Sequence, residues 1–196
     1  MTRSPLVALT MLAACGSSAN TSTEHAVGTY VGGGSTFGAD TCTYAGSPAV
    51  FAASGPSASA APGPRFVVAP GTITKRCGDT TTEVKAVVPT GAAITGPSKI
   101  KRGSESDLFQ GHLVSNGREL RGEARVDWQL GQDCAGVAAF APVLGAQDTG
   151  GRDRSRKLVP TGAGTCTVIL TLTTGSLLDE SFKPQALQAE KLVTIE

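Results

Sequence analysis

The stretch Ala124-Arg125-Val126-Asp127-Trp128-Gln129-Leu130 decides the fold. Ala124, Val126, Trp128 and Leu130 alternate with Arg125, Asp127 and Gln129. A period of two puts the apolar set on one face of a strand and the polar set on the other. Trp128 stands among the apolar members, so it is expected in a core rather than as a sugar-stacking platform on the surface. The alternation returns where Cys166, Val168, Leu170 and Leu172 interleave with Thr167, Ile169, Thr171 and Thr173. That Thr-rich face is expected to look outward, with Ile169 covered by a neighbour. Between Leu113-Val114 and Leu120, the pair Asn116-Gly117 marks a tight hairpin, because a type I′ turn needs positive φ at both central residues.

Composition extends this reading to the whole chain. The 196 residues include 25 Gly and 11 Pro, which interrupt the chain too often for long helices. Thr and Val favour pleated, half-buried surfaces. The fold class is therefore expected to be all-β. In the N-terminal half, strands are expected at Ala26–Val31, Thr41–Tyr44, Ala49–Ala52, Arg65–Val68, Thr72–Arg76 and Glu83–Val88. The run from Ser54 to Pro64 reads as a loop or linker, being made of Ser, Gly, Ala and Pro.

A family resemblance appears in the C-terminal half. Its residues are Ile94-Thr95-Gly96-Pro97, Gly103, Leu108 to Val114, Val126-Asp127-Trp128, Val137-Ala138 and Gly164-Thr165-Cys166-Thr167-Val168. Together they resemble a bacterial Ig-like domain. The resemblance implies an Ig-like β-sandwich over 91–196, with a smaller disulfide-bearing β region over 25–90 before it. The chain departs from the antibody pattern, in which a Cys precedes the Trp strand. Here Cys134 follows Trp128, so a disulfide to Cys166 must join a different pair of elements.

The N-terminus carries an address. Arg3 is followed by the apolar run Leu6 to Leu12 and the small residues Ala13-Ala14, the order of a secretory signal. The apolar stretch is far shorter than the roughly 18 residues a membrane-spanning helix needs. Leu12-Ala13-Ala14-Cys15 resembles the lipobox of bacterial lipoproteins. That resemblance implies cleavage after residue 14, lipidation of Cys15, and attachment to a membrane through its acyl chains. Gly16 and Ser17 follow Cys15 with no Asp, which by the same resemblance implies the outer membrane or cell surface of the envelope. The alternative is an ordinary secretory signal with a chance Cys. Residues 15–24 are small and polar and read as a flexible tether.

Export bears on the other cysteines. Cys42, Cys77, Cys134 and Cys166 form an even set, which in an exported chain suggests two disulfides. They can pair in three ways. Cys42–Cys77 with Cys134–Cys166 is favoured, since each closes a loop about the size of half a sandwich. A zinc site is the weaker alternative, for no two cysteines show the close spacing of zinc ligands. Asp40-Thr41-Cys42 with Ala45-Gly46 and Phe51 faintly echoes Asp133-Cys134-Ala135-Gly136 with Phe140, which chance explains in a chain this rich in Ala and Gly.

Charge excludes one class of partner. Lys+Arg number 17, and removing Arg3 with the leader leaves 16 against 16 Asp+Glu. A neutral product lacks the basic footprint of a nucleic-acid binder.

Chemical motifs are sparse. His25 lies beside the tether, and His112 lies within an expected strand as a half-exposed residue. A Ser-His-Asp site needs an imidazole held between nucleophile and carboxylate, and no G-x-S-x-G elbow accompanies His112. Gly32-Gly33-Gly34-Ser35-Thr36 lacks the Lys and helix of a P-loop. Asp148-Thr149-Gly150-Gly151-Arg152-Asp153 offers too few carboxylates for calcium. Arg152, Arg154, Arg156 and Lys157 read as a charged loop entering an edge strand. No catalytic, cofactor or metal residue is assigned. The expected function is a lipid-anchored, non-enzymatic binding or structural module of the envelope, with an envelope protein or glycan as partner. A small envelope hydrolase and a carbohydrate-binding module are the alternatives. The few aromatic residues give the latter little stacking surface.

Overall fold

The structure, a computed structural model, describes residues 24–31, 42–46, 50–53, 65–103, 107–142, 154–175 and 183–196. The lipobox with Cys15, the glycine run at 32–34, the loop 54–64 and the acidic loop 148–153 lie outside the described residues. The chain is all-β. Its N-terminal strands are β1 (Glu24–Ala26), β2 (Tyr30–Val31), β3 (Thr43–Gly46), β4 (Phe51–Ala53), β5 (Arg65–Val67), β6 (Gly71–Cys77) and β7 (Thr80–Val87). The rest are β8 (Gly91–Thr95), β9 (Lys99–Ile100), β10 (Asp107–Ser115), β11 (Arg118–Leu120), β12 (Arg125–Leu130), β13 (Ala138–Phe140), β14 (Ser155–Pro160), β15 (Gly164–Thr174) and β16 (Gln185–Ile195). Among the described residues, the one helical piece is a 3-10 turn at Gln132–Cys134.

Among the described residues, four sheets form two packed pairs. In the first half, β1-β7-β6-β3 faces β2-β5-β4. Val31 and Val67 from one sheet meet Ile73, Val84 and Ala86 from the other, with Val27 and Val50 added from turns. In the second half, β11-β10-β14-β13, with β8 also on β10, faces β12-β15-β16-β9. Phe109, Ala138 and Leu158 meet Cys166, Val168, Val193 and Ile195. Leu113 and Leu120 meet Val126, Leu170 and Leu172. Each such fully buried aliphatic side chain contributes about 1.5–3 kcal/mol of transfer free energy.

The period-two readings translate into this packing. Cys166, Val168, Leu170 and Leu172 are wholly buried, and the intervening Thr167 to Thr173 set is half-buried. Trp128 is partly buried, touches both clusters of the second half, and meets Phe140 edge-on at 6.4 Å and 72°. Space for it comes from β10, where a Cβ on Gly111 would lie 2.6 Å from Leu170 and 3.4 Å from Trp128. The hairpin turns at Asn116 (φ 49°) and Gly117 (φ 74°), the left-handed geometry that Asn-Gly tolerates.

The disulfides join Cys42 to Cys77 and Cys134 to Cys166, which removes their thiolates as zinc ligands. Cys42–Cys77 extends the β3–β6 ladder by one rung beyond the Thr43↔Arg76 pair. Cys134–Cys166 does something different. The chain leaves β12 in one sheet, makes the 3-10 turn, and enters β13 in the opposite sheet. The bond pins that crossover to the central strand β15. Asp133 adds to the pin, accepting hydrogen bonds from Thr167 N at 3.1 Å and Thr167 Oγ1 at 2.8 Å.

Three expectations need correction. Ala26–Val31 is two strands, not one, because Gly28 (φ 84°) breaks it with a turn. Glu24, read as the last residue of the tether, begins β1. The strand entered by the basic run is internal, since β14 lies between β10 and β13.

The segment 24–29 joins the two halves. Toward the first half, Val27 N donates to Val87 O (2.9 Å) and Gly28 N to Val67 O (2.8 Å). Toward the second, Ala26 N donates to Arg121 O (2.9 Å), and Arg121 N and Gly175 N donate back to Glu24 O and Gly28 O (2.8 Å each). Ala26 is fully buried in the second half's core. Thr29, also fully buried, donates its hydroxyl to Ala26 O and packs on Gly122, where a Cβ would come within 2.4 Å of it. Gly122 has φ +130°, so neither its backbone nor its neighbour admits a side chain.

Candidate functional site

The strongest polar constellation lies on the outer face of the β8-β10-β11 sheet. Along β10, Phe109, Gly111 and Leu113 are buried against the core, so alternation turns His112 to the other face. On that face His112 has two diagonal neighbours. Thr95 on β8 sits two rungs away, opposite Gln110, and Glu119 on β11 sits opposite Val114. Diagonal positions are within reach of a long side chain.

His112 uses both ring nitrogens. Its Nδ1 is 2.6 Å from Glu119 Oε1 and its Nε2 is 2.8 Å from Thr95 Oγ1. The imidazole is 15% exposed and Glu119 is 64% exposed. An ionised carboxylate only accepts, so Nδ1 must carry the hydrogen toward Glu119. In the neutral ring, Nε2 is then the acceptor and the Thr95 hydroxyl donates to it. The three strands thus hold a hydroxyl, an imidazole and a carboxylate in series. This is the polarity that activates an alcohol: carboxylate orients ring, ring accepts proton from hydroxyl.

The sequence alone predicts a half-exposed His112 without companions. Its ring is instead mostly covered and bonded at both nitrogens. The signal that could have found Glu119 is the Asn116-Gly117 turn. A two-residue hairpin fixes its register, and that register sets Glu119 across from Val114, beside His112. Thr95 had no comparable local signal, because β8 and β10 are joined through β9 and a longer connection.

Charge surrounds the cluster. Arg154 O accepts from Gly111 N at 2.8 Å, and its guanidinium donates to Gly122 O. Burial lowers the Arg154 pKa, while Glu119 and Glu123 oppose that shift.

The second histidine is also not a bystander of the tether. His25 pairs with Ala86 on one side and bridges to Arg121 on the other. Burial first, then the charges of Arg121 and Lys75, pull its pKa from 6.5 down to about 4. Its Nδ1 and the indole Nε1 of Trp128 are buried with no hydrogen-bond partner. Among the described residues, no three His, Cys, Asp or Glu side chains gather to hold a metal. Of the basic run, Arg154 is engaged as above, Arg156 and Lys157 lie in β14 opposite Phe109 and Leu108, and Arg152 lies outside the described residues.

No family model matches the chain. No curated protein matches it either. Solved structures do match in outline. Domains 4 and 5 of the S-layer protein SbsC are similar over 81% of this chain and 78% of that one, with 15% identity and a TM-score of 0.36. Domains 1–6 of the same surface-layer protein match 79% of this chain and 20% of that one, at 16% identity and a TM-score of 0.37. The adhesin InvE of Yersinia pseudotuberculosis matches over 80% of this chain and 49% of that one, at 11% identity and a TM-score of 0.34. These neighbours are bacterial surface-layer and adhesin proteins.

Proposed function

We infer that this chain is an exported module held at the bacterial envelope by acyl chains on Cys15, where it presents a rigid β surface to an envelope protein or glycan. The observation that carries the reading is the commitment of the cysteines. Cys42 is bonded to Cys77 and Cys134 to Cys166. Disulfides of this kind belong to oxidising compartments. The fifth cysteine is the one that ends the lipobox-like Leu12-Ala13-Ala14-Cys15, and the other four are already paired without it. One acyl chain anchors weakly and two or more anchor stably, at about 0.8 kcal/mol per buried CH₂. With charge balanced in the mature chain, attachment rests on acyl chains rather than on a basic patch.

The position of β1 fits this role. A tether from residue 15 would reach the fold at Glu24, where the chain is bonded to both halves at once. Pull on the anchor would therefore be shared between both halves of the fold. Radiolabelled palmitate is expected to enter the wild-type protein and to be absent from Cys15→Ser. Equal labelling of the two would overturn the anchor. Cross-linking on intact cells is the companion measurement for the partner, read as a Cys15-dependent adduct.

A further inference from the structure

We propose that Thr95 is a nucleophilic hydroxyl, activated by His112 and positioned by Glu119, that takes a short acyl group from carboxylic esters. This goes beyond the anchoring role and does not depend on it. Thr95 Oγ1 lies 2.8 Å from His112 Nε2, and His112 Nδ1 lies 2.6 Å from Glu119 Oε1. A nucleophile within hydrogen-bond reach of a base, itself oriented by a third group, is the geometric signature of an activated alcohol. The direction of the hydrogens also agrees. In the neutral ring, giving Nδ1–H to Glu119 leaves Nε2 as the acceptor that faces the Thr95 hydroxyl.

The same sheet face offers the two other groups such a reaction uses. Gln110 stands directly across the ladder from Thr95. Opposite residues share a face, with Cβ atoms about 4.5–5.5 Å apart. A carboxamide at that position is the kind of donor that serves a developing oxyanion on an ester carbonyl attacked by Thr95 Oγ1. Leu108 lies two residues along the same face and is 46% exposed. It gives an acyl chain an apolar contact beside the reacting carbon. Thr95 is exposed, so ester approaches from solvent without opening the fold.

Thr95 Oγ1 bonds to the carbonyl carbon while its proton passes to His112 Nε2. The ester C–O bond then breaks, and the leaving oxygen takes that proton from Nε2. An acyl ester remains on Thr95 and an alcohol departs. Water attacks the acyl ester by the same route, releasing the acid and restoring the hydroxyl. In this scheme Thr95 and His112 touch the reacting atoms, and Glu119 is a positioning residue.

The test uses the full chain and p-nitrophenyl acetate, read both as p-nitrophenolate release and as one added acetyl group on the peptide containing Thr95. Thr95→Val, which keeps the side-chain shape, is expected to abolish the Thr95 adduct, and Thr95→Ser to retain it. His112→Ala is expected to slow acetylation at least about 100-fold, the scale of a general base. Added imidazole should restore part of that rate, which a merely structural histidine would not allow. Glu119→Gln should lower the maximal rate with little change in the half-saturating ester concentration. Melting curves of each variant separate loss of chemistry from loss of fold. Acetylation found only on lysines, acetylation of Thr95 at an unchanged rate in folded His112→Ala, or no rescue by imidazole would each overturn the proposal.

Discussion

The two β halves are closed by disulfides of nearly equal span, 35 and 32 residues, yet the bonds serve different ends. In the first half, Cys42–Cys77 zips β3 onto β6, two strands already paired along their length. Because β3 is the outer strand of its sheet, it is the strand that could most readily fray. In the second half, Cys134–Cys166 holds a change of sheet, with the long β15 as its anchor. Among the described residues, the first half has strands of at most eight residues and a single core cluster. The second has two eleven-residue strands and two clusters. Similar covalent loops therefore sit on unequal non-covalent support, and the first half compensates by sharing the segment 24–29 with the second.

The largest effects should come from the disulfides themselves. Loop entropy assigns each about 4 kcal/mol when its partner strands are otherwise unconstrained. Cys134→Ser with Cys166→Ser should lose close to that amount in denaturant unfolding. Cys42→Ser with Cys77→Ser should lose clearly less, because β3 is an outer strand whose contact with the core is through the partly buried Tyr44. Equal losses would break the comparison.

Acid comes next. His25 is held neutral in the fold with a pKa near 4, against 6.5 in the unfolded chain. Below 6.5 the unfolded state takes up a proton that the folded state refuses. Stability therefore falls with pH between about 6.5 and 4, by no more than about 3 kcal/mol. The loss should begin at the joint between the halves, and His25→Gln should flatten the profile over that window. A profile unchanged by His25→Gln would remove His25 as its source.

Gly122→Ala should cost about 1–3 kcal/mol, from left-handed strain and from collision with Thr29. Its signature is local: residues 24–31 should become protease-sensitive while the second half keeps its core. Asp133→Ala is the smallest, about 1 kcal/mol, as two hydrogen bonds to Thr167 at an exposed site are lost. If that change costs nothing, the disulfide alone holds the crossover.

Much of the fold was legible because period two survives in single residues. Ala124 to Leu130 and Cys166 to Thr173 each state which face is buried, and Asn116-Gly117 states where the chain reverses. In the first half, strands such as Thr72–Arg76 could be placed from Thr and Val content within a residue or two. The split of Ala26–Val31 could not, since Gly28 acts through positive φ rather than through polarity. The joint was also invisible, because Arg121, Gly122 and Gly175 lie far along the sequence from residues 24–29, which they meet through tertiary contacts and no local motif. The Cys42 and Cys134 echo does not extend to structure, as one cysteine precedes an edge strand and the other ends a crossover turn. The candidate site was half legible. Glu119 follows from hairpin register, whereas Thr95 needs the pairing of β8 with β10, a contact set by the sheet and not by any motif.

Residues 24–29 bond both halves into one cooperative unit. Native-state hydrogen exchange at the amides of Ala26, Gly28, Arg121 and Gly175 tests it most directly. These amides should be protected to the same free energy as core amides such as Leu170, exchanging only through global opening. Fast exchange at Ala26 and Gly28, with Leu170 still protected, would show a frayed end rather than a joint and would contradict the account.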